Sequence, residues 1–399
     1  MTETLYSELP TQRPTAFDPP AELGLLRERA PISRMKFPDG HLGWLVTNYE
    51  LAREVHADRR FSSRVELQHS PRTVGGEPVA QRPPAKPGMF IGMDAPDHTR
   101  YRKLLTGQFT VRRMNQLMPR IEQIVAEHLA GLRASGSPAD LVANFALPVP
   151  SMVICELLGV PYEDREAFQQ DTAKLLSLDS TMDEIMAAFE RLEDFVLRLA
   201  ERKHVEPGDD MLTGLVATGE LTDSEVANMG LLLLVAGHET TANMLGLGTL
   251  LLLQRPDQLA ALRADPSLVD NAVEELMRYL TIIQFGTVRT ALEDVEVGGV
   301  VVRAGESVSI SVAAANRDPA RFERPDEFDV HRSASGHLAF GHGVHQCLGQ
   351  QLARIEMRVG FSALFREFPD LRLAVPAADV RLRTDMAIYG VHELPVEFS

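Results

Sequence analysis

The sequence predicts a mainly helical α+β fold, with small sheets grafted onto many helices. Three observations carry that prediction. From Asp97 to about Leu280, apolar residues recur at three- and four-residue spacing, the period of helices with one buried face. Strand-like alternation is confined to short runs, VEVGGVVV and SVSISVAAA above all. One stretch, from Thr222 to about Gln254, is apolar on nearly every side, which suits a helix buried at the centre of a large domain. Helices first, with small sheets inserted later, is the order of a single α+β layer structure. The 399 residues are enough for a core that hides a cofactor, and residues 1–399 are read as one domain.

The elements follow in order. The stretch to about Pro31 is Pro-rich and reads as irregular. Leu42–Thr47 reads as a strand and Tyr49–Ala57 as a helix. Residues 62–97 are dense in Pro, Gly and Arg and read as a long loop, a feature usually kept for function. MNQLMPRIEQIVAEHLAGL and MDEIMAAFERLEDFVLRLAERKH read as amphipathic helices. Thr222-Asp-Ser-Glu225 is a capping box that opens the central helix, and Arg255-Pro256 closes it. A membrane span is rejected there, because His238, Glu239 and Asn243 would lie at mid-span. The chain turns at Ala304–Gly305 between its strand runs, returns to helix after Cys347, and ends in strand-like runs near Val380 and Val396.

Composition removes several function classes. Lys+Arg is 40 against 56 Asp+Glu, a net charge of −16, which argues against nucleic acid and against an anionic membrane surface. Two cysteines, Cys155 and Cys347, exclude a disulfide scaffold, and neither has zinc-site spacing. The first thirty residues hold no apolar run, so no secretory signal is read there and a cytoplasmic location is expected.

The strongest local feature is FGHGVHQCLGQQLAR, from Phe340 to Arg354. A Gly-rich loop delivers Cys347 to the start of an amphipathic helix. A helix N-terminus offers free N–H groups and partial positive charge, both of which favour a thiolate. Gly343 and Gly349 would let backbone approach a flat ligand. A buried core thiol, or a Cys nucleophile with His342 or His345 as base, would fit the periodicity equally well. The spacing Phe-x-x-Gly-x-x-x-Cys-x-Gly separates them. With it the sequence resembles the cytochrome P-450 superfamily of haem-thiolate monooxygenases, whose loop carries the axial Cys ligand of haem iron. That role maps onto Cys347, where a thiolate favours O–O cleavage.

The resemblance extends to other segments and implies their roles. Ala236-Gly-His-Glu239-Thr240-Thr241 matches the signature over the oxygen site and is expected to interrupt the central helix. Ala236 and Gly237 would then make room for haem and dioxygen. Glu239 and Thr240 would be the acid–alcohol pair that relays protons. Glu275-Leu-Met-Arg278 matches the family's Glu-x-x-Arg network behind the Cys loop, with Arg332 as third member; the segment PDEF lacks the family's usual arginine. His98, Arg102, Arg289 and His345 match the residues that anchor haem propionates. Phe340 and Gly349 belong to the haem-binding loop. The cofactor implied is haem b, buried between the central helix and the Cys-loop helix.

FTVRR, LPVPSMVICELLGVPYED, AGHETT, HLAFGHGVHQCLG and HELPV are closest to soluble actinobacterial members, which act on macrolides, polyenes, secosteroids and drugs. The implied pocket includes Phe90, Val235, Ile283, Phe285, Thr287 and Ile388, with Met89, Ile91, Leu176 and Ile282 adding apolar surface. The implied partners are a hydrophobic substrate, dioxygen, and a ferredoxin with its reductase. Arg100, Arg102, Lys103, Arg112 and Arg113 cluster where an acidic ferredoxin could be steered. A monomer is expected. A peroxide-driven peroxygenase and a non-enzymatic haem ligand sensor are the alternatives. The Glu239–Thr240 pair argues against the first, and the absence of an output domain against the second.

Overall fold

The central helix runs Asp223–Leu253 in the computed structural model, which describes residues 8–399. Its start is the expected capping box: Glu225 N donates to the Thr222 hydroxyl, and Thr222 N donates to the Glu225 carboxylate. Pro256 opens the next helix, Pro256–Ala264, so the central one cannot continue through it. The helix is unbroken through Ala236–Thr241, against the expected interruption. Several polar side chains of the helix bond one turn back. Thr240 Oγ1 donates to Ala236 O at 2.9 Å, Asn243 Nδ2 to Glu239 O at 2.7 Å, and Thr249 Oγ1 to Leu245 O at 2.8 Å.

Helices Pro148–Leu158 and Met182–Lys203 flank it, and Gln350–Glu367 crosses behind. Leu231, Leu234, Leu245, Leu247 and Leu250–Leu252 of the central helix join one large apolar core with Val149, Val153, Leu192, Val196, Phe361 and Leu364. Burial of this kind contributes roughly 25 cal/mol per Å² of apolar surface. A helix apolar all round is stable only inside such a core. Among the described residues, no helix is long and apolar enough to cross a membrane.

The larger sheet has five strands in the order Ile32–Lys36, Leu42–Val46, Ser307–Ile310, Thr287–Ala291, Phe61–Ser62. Leu42–Val46 lies parallel to Ser307–Ile310, and the other pairs are antiparallel. Trp44, Tyr49, Val308 and Phe322 form its own apolar cluster. Val295–Val297 and Val300–Val302, within the strand-like run VEVGGVVV, pair as a hairpin. SVSISVAAA is strand only to Ile310; Ser311 then accepts from Ala314 N and caps a short helix, Val312–Ala315. The strand-like run near Val380 is a 3₁₀ turn over Ala377–Asp379 followed by an antiparallel bridge of Leu382 with Val391, where Arg383 N donates to Gly390 O and His392 N to Arg381 O. Pro395–Glu397 pairs with Arg372–Leu373 and Ala139–Asp140.

Candidate active site

The Cys loop is shaped by two left-handed glycines, Gly341 and Gly343, at φ +70° and +74°. Cys347 N donates to Phe340 O at 2.8 Å, which closes the loop, and Gly349 caps the helix Gln350–Glu367. Phe340 is buried in the core under the Arg354 guanidinium, 4.5 Å from its ring centre. The two glycines expected to face a ligand divide their roles. A Cβ on Gly343 would lie 2.5 Å from His56 O, so that glycine lets the loop meet the helix Tyr49–Ala57 instead. A Cβ on Gly349 would meet nothing within 4 Å. The Cys347 side chain is accessible, although protein surrounds it and desolvation pushes its thiol up. The Gly349 and Gln350 N–H groups, Arg102 and Arg354 pull the other way, toward the thiolate.

On the central helix, an accessible stripe interrupts an otherwise buried surface at Leu232, Val235, Ala236, Gly237 and Thr240. Ala236 is its most open residue. Gly237 does not make room in the expected direction. A Cβ there would lie 2.7 Å from Ile154 Cδ1, so its lack of a side chain lets the helix approach Pro148–Leu158.

His98, Arg102, Arg289 and His345 converge as the sequence implies. His98 and His345 rings lie 4.0 Å apart. His98 is 2% exposed, and its Nε2 has no partner among the described residues. Burial, then the neighbouring His98, Arg289 and Arg102, push His345 down to about 3. Burial lowers Arg289 to about 10, with Asp94 opposing weakly. Arg289 Nη1 donates to Val288 O, and Arg102 Nη2 to Gln346 O. Asp94 is spent on Ser62 Oγ and Ser63 N, at 2.5 and 2.8 Å. Four basic groups thus gather without a carboxylate partner among the described residues. Two carboxylates of a haem would supply it, beside a cysteine at a helix start and an accessible stripe of small side chains. The residues present fit that group.

His56 belongs with this cluster and carries no sequence motif. It is buried, its Nε2 lies 2.8 Å from Thr287 Oγ1, and burial followed by Arg289 pushes it down to about 3. Thr287, read as a pocket residue, is engaged there. Ile283 and Ile388 are brought together in an antiparallel bridge, and Ala387 N donates to Leu176 O beside them. Phe90 is buried 6.2 Å from the His98 ring. Phe285 is a correction: it packs on Met35, Phe37 and Leu45, the cluster behind the N-terminal strands. Ile91 is 61% exposed, so it is surface rather than buried lining.

Glu239 is buried, and its carboxylate forms an ion pair with Arg383 Nη1 at 3.0 Å and accepts from Asn243 Nδ2 at 3.3 Å. Arg383 was not legible, since it comes from a distant turn near the C-terminus. Glu275 and Arg278 are fully buried and bidentate, at 2.7 and 2.8 Å. Arg332 is the third member: its Nε donates to Glu275 Oε1 at 3.1 Å, and its other nitrogens to the carbonyls of Glu323, Arg324 and Glu327. The basic cluster beyond the long loop is less free than its spacing implies. Arg100 pairs with Glu225, Arg113 with Asp209, and Arg102 turns inward to Gln346.

Comparison with known proteins agrees with this geometry. The sequence profile described as Cytochrome P450 matches residues 209–371. The chain is 52% identical over 397 residues to cytochrome P450 105C1 of a Streptomyces species, covering 99% of this chain and 100% of that one. It is 44% identical over 392 residues to the vitamin D3 dihydroxylase of Streptomyces griseolus, covering 97% and 96%. The crystal structure of CYP105P1 in complex with filipin I superposes with a TM-score of 0.94 at 47% identity, covering 99% of each chain. Identity at that level along the whole length fixes fold and prosthetic group together: the chain belongs to the cytochrome P450 family of haem b monooxygenases.

Proposed function

We propose that this protein inserts one oxygen atom from dioxygen into a hydrophobic natural product or xenobiotic, by hydroxylation or epoxidation. The electrons would come from a ferredoxin and its reductase. The observation that carries this reading is the Glu239–Thr240 pair, an acid and an alcohol set at the open stretch of a buried helix. When bound, haem supplies the activation of dioxygen.

Cys347 would hold the iron through its sulfur, aided by the N–H groups of Gly349 and Gln350. His98, Arg102, Arg289 and His345 would hold the propionates. Thr240 Oγ1, donating to Ala236 O in the resting helix, turns to hold a proton at the stripe, and Glu239 resupplies it. Arg383 and Asn243 occupy one carboxylate oxygen, Oε2, and Oε1 remains for the relay. The apolar residues Phe90, Val235, Ile283 and Ile388 orient the substrate and exclude water. A relative named for vitamin D3 and another whose crystal structure is a complex with filipin I support a bulky apolar guest. Lys103 and Arg112, the members of the basic cluster that neither pair with a carboxylate among the described residues nor turn inward as Arg102 does, would steer an acidic ferredoxin. Residues 1–399 would work as one domain and as a monomer in the cytoplasm.

The test is product formation from a panel of macrolides and secosteroids, with a ferredoxin system under dioxygen and separately with peroxide alone. Turnover only with electrons and dioxygen supports the proposal. Equal turnover with peroxide alone would favour the peroxygenase reading, and ligand binding without turnover the sensor reading.

A further inference from the structure

The long loop leaves the five-stranded sheet at residues 67–69, and that exit is fastened from several sides. Thr290 Oγ1 donates to Leu67 O at 2.9 Å, and Gln68 Nε2 to Val288 O at 3.1 Å. His69 N donates to Ser307 Oγ at 3.1 Å. The His69 ring then stacks on His41, with centroids 3.6 Å apart and planes 4° apart. His69 Nδ1 lies 2.6 Å from Asp39 Oδ2. His41 comes from the turn between strands Ile32–Lys36 and Leu42–Val46, with the Phe37 ring edge-on at 5.6 Å.

One further bond decides the protonation state. Ser307 N donates to His41 Nε2 at 3.1 Å. A ring nitrogen that accepts a hydrogen bond carries no proton, so His41 is neutral in this arrangement. A second proton would set N–H against N–H at Ser307. It would also place a positive ring face-on against His69, the ring that already holds Asp39.

We propose that the His41–His69 stack is a pH-sensitive latch on the long loop: one proton taken up at His41 releases residues 67–69 from the sheet and loosens the segment that carries Phe90 to the His98 cluster.

The charges around His41 support that direction. Asp39 faces it from its own turn, Arg34 from strand Ile32–Lys36, Glu306 from the turn before Ser307–Ile310, and His69 from the loop. Asp39 is engaged by His69, and Glu306 by Arg34 at 2.6 Å and Trp44 Nε1 at 2.7 Å. Burial first, then His69, hold His41 below the usual histidine value despite these carboxylates. A group depressed in the closed state stabilises it fully above its ordinary pKa of about 6.5, and the contribution fades as pH falls below that. The release would travel along the loop. Gly75 N donates to Leu178 O at 2.7 Å, tying the loop's hairpin to the turn before Met182–Lys203, and Phe90 lies against His98.

The test is hydrogen exchange followed by mass spectrometry on the haem-loaded full chain at pH 8 and pH 5.5, corrected for intrinsic rates. Peptides spanning residues 64–76 should lose protection by about tenfold per pH unit once His41 titrates, while the central helix keeps its own. His41→Gln can still accept from Ser307 N and cannot charge, so its protection should be independent of pH. A histidine NMR titration of the unmodified protein provides an independent check, with His41 expected to stay neutral at pH 7. Unchanged protection at pH 5.5, a His41→Gln variant with the original pH dependence, or a protonated His41 in a protected loop would each overturn the latch.

Discussion

Arg383 reaches the Glu239 carboxylate at 3.0 Å, joining a turn near the C-terminus to the middle of the central helix. Both residues are almost fully buried, so neither charge is at home without the other. Asn243, one turn along the helix, shares the same oxygen. The acid that the sequence marks for proton relay is therefore held in position by a residue that no local motif marks.

Replacing Arg383 by Met should leave a buried carboxylate unpaired. Loss of one partner from such a pair costs about 3–5 kcal/mol. A denaturant melt of the haem-loaded protein should show that loss, and Arg383→Lys should recover most of it. If the pair positions Glu239 for the reaction, Arg383→Lys should also restore the ratio of product to peroxide lost in Arg383→Met. A variant that recovers stability alone would reduce Arg383 to a structural role.

Thr240→Ala is expected to bind substrate and consume oxygen, but to divert electrons to hydrogen peroxide. Glu239→Gln should slow turnover with coupling closer to normal. The measurement is product formed and peroxide released per electron donor consumed. Thr240→Ala with unchanged coupling would mean that protons arrive by another route.

Removing one basic group from the His98–Arg102–Arg289–His345 cluster should weaken haem retention without changing the axial ligand. A charge-assisted bond contributes about 1.5–3 kcal/mol, so haem transfer to an acceptor protein should quicken by roughly ten- to a hundredfold. Arg289→Ala is the clearest case, because its only hydrogen-bond partner among the described residues is the neighbouring Val288 carbonyl.

Glu274 gives a pH prediction. Burial alone would raise its carboxyl, but hydrogen bonds from His337 and Arg354 overcome this and bring it down to about 2. A depressed carboxylate contributes stability above its unfolded value of 4.5, and that contribution is lost as pH falls toward 2. The amount is on the order of 3 kcal/mol. Acid melts should show it in the unmodified protein and lack it in Glu274→Gln.

Local features of the chain were the legible ones. The capping box at Thr222, the helix Tyr49–Ala57, the strand character of VEVGGVVV and the Cys loop each depend on residues a few positions apart. The buried set Glu275–Arg278–Arg332 was legible through resemblance. Arg383 and His56 were not, because their roles arise only when segments far apart in sequence meet. Gly237 and Gly343 were misdirected for a related reason: sequence marks a missing Cβ, but only the packed neighbours, Ile154 and His56, say which contact it permits. Phe285 failed likewise, the turn before Thr287–Ala291 placing it against the cluster that holds Phe37 and Met35.

The central claim is that Cys347 binds the haem iron as a thiolate. Its most direct test is the absorption spectrum of the reduced protein with carbon monoxide. The intact protein and Cys155→Ser should both give the red-shifted band of thiolate-bound haem, since Cys155 is buried in the apolar core and burial pushes its thiol up to about 12. Cys347→His should bind haem without that band. Persistence of the band in Cys347→His, or its absence from the intact haem-loaded protein, would contradict the account.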